Sequence, residues 1–119
     1  MNKKEIERLI KQHNAKNLKG SVYIISPLKE NHYVKFACSS YPEDALATFQ
    51  EGSREELSIR HVAWFSDMRL AMKVRGQVRE LIPQSLSLWH DWFQIPVKMA
   101  VSTIQVAADK LRIPIIKTT

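Results

Sequence analysis

Arg69, Lys73, Arg75 and Arg79 stand close together in a stretch of helical periodicity, with Glu80 as the nearest carboxylate. Like charges four apart on a helix, here Arg69/Lys73 and Arg75/Arg79, repel by roughly 0.2–0.5 kcal/mol per pair. Such spacing makes sense beside an anion, and the chemistry these side chains supply is phosphate recognition by charge and N–H donation. Other roles fit as well: Arg75 and Arg79 as solvated surface cations, the same two paired with Glu43, Asp44 or Glu51, or a patch facing a protein.

The remaining reactive side chains are scattered. His13, His32, His61 and His90 show neither His-x-x-x-His spacing nor a cysteine pair beside them, so no metal site is expected. Cys38 alternates with Phe36 and Val34 and reads as a small core residue. Tyr23 on a strand reads as a tyrosine hydrogen-bonded near the surface. Trp64, Trp89 and Trp92 offer faces on which bases stack, but Trp92-Phe93, just before a helix, reads as core filling.

The elements that must position these groups follow from periodicity. Ile6, Leu9, Ile10 and His13 share one face of an amphipathic helix over residues 2–18, with Lys3, Lys4, Arg8, Lys11 and Lys16 on its other faces, ending near Gly20. Val22-Tyr23-Ile24-Ile25 and Tyr33 to Cys38 form a hairpin, in which Val34, Phe36 and Cys38 share one face and Tyr33, Lys35 and Ala37 the other. Pro42 suits a first helical turn and Gly52 the residue just past the end, giving a helix over 42–51 with Leu46 and Phe49 inward. Leu57 to Phe65 is a third strand. Ser66 then caps a helix over 67–82, which buries Leu70, Ala71, Val74, Val78, Leu81 and Ile82 and is stopped by Pro83. A short strand near 92–95 precedes Pro96 and a last helix over 97–111. Thr103 to Leu111 also looks like the first helix of a helix-turn-helix, but the residues beyond it, with Pro114 and a β-branched tail, do not read as a recognition helix, and a packing role is expected.

This order predicts a single α/β (α+β) domain over 1–119, with a small, mostly antiparallel three-stranded sheet flanked by helices. Residues 1–19 form an N-terminal helix, 20–95 a core and 96–119 a C-terminal helix and tail. With 119 residues, 45% of them hydrophobic and 25% charged, the chain has the composition of one globular domain. A lone Cys38 excludes an internal disulfide. Together with a Lys-rich start and no apolar run near ~18 residues, it predicts an intracellular, cytoplasmic protein. Eighteen Lys and Arg against twelve Asp and Glu leave a net charge of +6, which favours nucleic acid or another anionic partner.

Gly20-Ser21-Val22-Tyr23-Ile24, Val34-Lys35-Phe36-Ala37, Pro42-Glu43-Asp44-Ala45-Leu46, Thr48-Phe49-Gln50-Glu51-Gly52, Asp67 with Ala71, and Asp91-Trp92-Phe93 with Ile95-Pro96 follow one another in an order and spacing that resembles the GIY-YIG nuclease superfamily. The closest likeness is to a viral and bacterial branch, and it covers about residues 20–108. The resemblance implies phosphodiester cleavage in which a tyrosine helps activate water, an arginine steadies the phosphate and a glutamate holds one divalent metal, Mg or Mn. Tyr23 matches the tyrosine, but Ala45 stands where the arginine is expected, Ala37 where the second motif has glycine, and Arg75 where the glutamate is expected. Arginine cannot ligate a cation, so the resemblance implies a degenerate site without catalysis or cofactor. Arg75 and Arg79, about 40° and 80° around the helix from Ala71, are expected to line the former cleft with Lys35 and Tyr23. The expected partner is nucleic acid, DNA first, bound by Tyr23, Lys35, Arg69, Lys73, Arg75 and Arg79. The alternatives are an adaptor or inhibitor of phage anti-defence type that binds an acidic protein, and an active endonuclease.

Overall fold

A computed structural model describes residues 2–9 and 19–119, with His90 defined by its backbone only. The fold is α+β. Helix α1 covers residues 3–9, with Asn2 Oδ1 accepting from the Glu5 N–H at 2.8 Å as an N-cap. Its predicted continuation to residue 18, including His13, lies outside the described residues.

Strands β1 (Gly20–Pro27), β2 (Val34–Ser39), β3 (Leu57–Phe65), β4 (Trp92–Phe93) and β5 (Lys117–Thr118) form one antiparallel sheet in the order β4-β2-β1-β3-β5. Helices α2 (Pro42–Glu51), α3 (Met68–Leu81) and α4 (Val97–Leu111) complete it. The expected three strands are its centre, and two short edge strands extend it to five. The expectation of a strand near 92–95 is realised as β4, whereas β5 was hidden in the tail. Two exposed residues carry no alternation to read, and β5 exists because the chain returns along β3, where the Ile116 N–H donates to Trp64 O at 2.8 Å.

All eight residues of β1 are buried, since helices cover both faces of the sheet. On one face Val22, Ile24, Val34, Phe36, Ala63 and Phe65 pack beneath Ala71, Val74 and Val78 of α3 and Ala100, Ile104, Ala107 and Ala108 of α4. On the other, Tyr23, Ile25, Ala37, Leu57 and Val62 pack with Ala45, Leu46 and Phe49 of α2. The alternation predicted for β2 is therefore realised. The buried hydroxyls of Ser21 and Ser26 donate to Ser39 O and Glu30 O, both at 2.7 Å, which removes the penalty of an unsatisfied polar group.

Helix α3 is capped by Asp67, not by Ser66 as predicted. The Asp67 carboxylate accepts from the Leu70 N–H at 2.8 Å, and a carboxylate there also gains from the helix dipole. After α4, Arg112 takes the left-handed conformation (φ 56°), and the Ile113 N–H reaches back to Ala108 O at 2.9 Å. That reversal sends the tail to the sheet as β5, and the described residues after it form no second helix of a helix-turn-helix.

Candidate nucleic-acid interface

The amphipathic pattern of α3 turns Ala71, Val74 and Val78 to the sheet and leaves Arg69, Lys73 and Arg79 exposed, with Arg75 half-buried at the margin. The four cations form two rows. Arg69 and Lys73 lie on the outward side of the helix, about 160° and 200° around the axis from Ala71, and Arg75 and Arg79 border β2 at about 40° and 80°.

Between the rows lies Gly76. A Cβ built there meets nothing within 4 Å, so the fold has no steric need for glycine in mid-helix, where it costs about 0.5–1 kcal/mol relative to alanine. Its effect is to leave the helix backbone uncovered at one point between the two rows, with exposed Met72 and Glu80 one turn to either side.

Arg79 Nη2 donates to Asp91 Oδ2 at 2.9 Å, so its partner is Asp91 and not the Glu43, Asp44 or Glu51 considered from sequence. Asp91 has a positive φ of 63°, which side chains rarely adopt but aspartate tolerates. The turn it makes carries its carboxylate to α3. Nothing in local periodicity signals this pair, because the two residues meet only when β4 docks on β2.

Tyr23 and Lys35 belong to the opposite face. Tyr23 is 1% exposed among the residues facing α2, and Lys35 Nζ lies 4.8 Å from the centroid of the Phe49 ring. The expected cleft mouth shared by Tyr23, Lys35, Arg75 and Arg79 is therefore not formed, because the sheet stands between the two pairs. One link does cross it. Burial pushes the Tyr23 phenol up to about 12, the Cys38 thiol adds to this, and the Arg75 guanidinium opposes it. Burial likewise pushes the Cys38 thiol up to about 11 against Arg75 and Arg79. Cys38 is partly buried, with Sγ donating to Ala71 O at 3.5 Å.

These shifts have a fixed sign. Both groups hold their protons more tightly folded than unfolded, so stability is unaffected by them below pH 9, begins to fall above the ordinary 9.0 of the thiol and 10.0 of the phenol, and is lost as pH passes 11 to 12. Tyr23→Phe is expected to weaken this alkaline loss between pH 10 and 12, read from urea midpoints across that range. An unchanged pH profile in the variant would refute the assignment.

A cleft of about 530 Å³ between α2 and β3 is lined by Tyr41, Glu43, Asp44, His61 and Trp64 among others. Its carboxylates oppose an anion. His61 there is held below its ordinary value by burial. Trp89 is 80% exposed, unlike the core aromatic Phe93 four residues further on. Among the described residues, no three His, Cys, Asp or Glu side chains converge as a metal site, and no helix is long and apolar enough to cross a membrane.

Comparison with known protein families, curated proteins and solved structures finds no match for this chain.

Proposed function

We propose that this chain binds nucleic acid, DNA in the first instance, through the exposed face of α3 and does not cut it. The observation that carries the reading is Gly76 at the centre of Arg69, Lys73, Arg75 and Arg79. The helix bears like-charge repulsion and a mid-helix glycine that its own packing does not use. Both costs are offset when a phosphate backbone lies close to the helix at Gly76, within reach of the neighbouring cations. The net charge of +6 supplies the long-range attraction.

The proposal includes a GIY-YIG-like origin for the domain, carried by the sequence motifs alone. On that reading Tyr23 is a relict of catalysis, buried beneath α2, and Arg75 at the former metal position has become part of the binding face.

The test is anisotropy of labelled duplex and single-stranded DNA across ionic strength. Three to four neutralised phosphates give a slope of log affinity on log salt of about −3 for duplex. Arg69→Glu/Lys73→Glu/Arg75→Glu is expected to lower affinity at least about 100-fold at low salt, since each reversal converts an attraction into a repulsion. Gly76→Ala separates binding from folding. It is expected to raise stability by about 0.5–1 kcal/mol while weakening DNA binding. Salt-independent binding, or affinity untouched by the triple variant, would refute the proposal. Plasmid incubated with Mg or Mn is expected to remain intact.

A further inference from the structure

Tyr33, Trp89 and Trp92 line one cleft of about 350 Å³ on the α2 side of the sheet, together with the buried Leu57 and with Ser53 and Glu55. That is a size typical of small-ligand sites. The sheet explains the convergence. Val34 and Phe93 pair across β2 and β4 and both face α3 and α4, so alternation turns their neighbours Tyr33 and Trp92 to the opposite face. The single turn Trp89–Asp91 leads into β4 and brings Trp89 to the cleft, 80% exposed. The loop between α2 and β3 brings the exposed Glu55.

The polar groups of this cleft select one ligand chemistry. Ser53 Oγ is already committed to the Glu55 backbone, donating to its O at 3.0 Å and accepting from its N–H at 3.2 Å. Among the described residues, Glu55 is the one charged side chain of the lining, and no side chain pairs with its carboxylate. The surroundings are acidic although the molecule carries +6. In the adjoining depression Lys29 and Arg54 stand against three carboxylates, Glu30, Glu55 and Glu56. Lys35, opposite Trp92 in the sheet, has its Nζ over the Phe49 ring. Aromatic faces carry partial negative charge and attract cations. A primary ammonium brings three N–H donors that need acceptors, which a mostly aromatic wall does not offer. A quaternary ammonium has no N–H to satisfy and presents methyl groups to the rings.

We infer that this cleft binds a quaternary ammonium group, its charge held against the faces of Tyr33, Trp89 and Trp92 and balanced by Glu55. The cleft shares no residue with the cations of α3 and lies on the other side of the sheet, so the inference stands apart from the DNA reading.

The test titrates the full chain with choline at constant ionic strength, followed by tryptophan fluorescence and by the indole N–H signals in NMR. The neutral alcohol in which carbon replaces the charged nitrogen of choline has the same shape, and is expected to bind at least about tenfold more weakly, as attraction to more than one ring implies. Capped trimethyl-lysine against capped lysine forms a second arm. The tighter of choline and trimethyl-lysine names the source, a small molecule or a partner's side chain, and saturation by either supports the inference. Trp89→Ala is expected to weaken binding about tenfold and Glu55→Gln about threefold, with urea midpoints close to wild type because both residues are exposed. DNA affinity is expected to be unchanged in both variants, which separates this site from the α3 face. Four results would overturn the inference: no saturable response to either cation, equal affinity for choline and its neutral counterpart, binding untouched by both substitutions, or loss of DNA affinity in Trp89→Ala, which would make the cleft a stacking site for bases.

Discussion

Phe36→Ala lowers stability by about 3–5 kcal/mol, the cost of deleting a buried aromatic ring and leaving a cavity behind. Phe36 is 2% exposed and faces the α3 and α4 side of the sheet, opposite Ile24 of β1. Its ring meets Phe93 edge-on, with centroids 5.7 Å apart and planes at 63°, an arrangement worth about 0.5–1.5 kcal/mol beyond burial. That contact adds to the backbone pairing of β4 with Val34 and Lys35. A domain of this size has about 5–15 kcal/mol in total, so the loss is a large fraction of it. Urea denaturation measures the difference, with Val106→Ala on the 53%-exposed side of α4 as reference and expected within about 0.5 kcal/mol. Equal midpoints for the two variants would show that the core is not where the structure has it.

Gly20→Ala is expected to cost about 3 kcal/mol, at the upper end for overpacking. A Cβ at Gly20 would lie 2.5 Å from Met68 Cα and 2.9 Å from Asp67 O. Both are backbone atoms, so no rotamer change relieves the clash, and the start of α3 must shift off β1. The two glycines thus carry opposite expectations for one substitution. Gly20 is required by a close approach of backbones, whereas Gly76 is open on every side and gains stability as alanine. The same urea titration decides, and a Gly20→Ala midpoint at or above wild type would refute the close approach.

Gly20 also marks a limit of reading by sequence. Taken alone it looks like a helix stop, and its neighbours Asp67 and Met68 lie far along the chain. The cap of α3 shows a related limit. Ser66 and Asp67 are both competent caps, and the choice between them rests on where the chain leaves β3 to begin the helix. The candidate site divides in the same way. The cations of α3 and their spacing were legible because helical period is local, and so was the burial of Cys38 beside Phe36. The separation of Tyr23 and Lys35 from those cations was not, since it depends on which face of the sheet each helix covers.

The chain's own pattern determined three central strands, the bounds of α2 at Pro42 and Glu51, the span of α4, and a basic face on α3. Each is written in contacts between near neighbours or in a period of two or 3.6 residues. Tertiary packing alone decided the two edge strands, the Arg79–Asp91 pair and the opposition of Tyr23 to Arg75 across the sheet. These arise from segments far apart in sequence, held by backbone bonds and burial that no local period encodes.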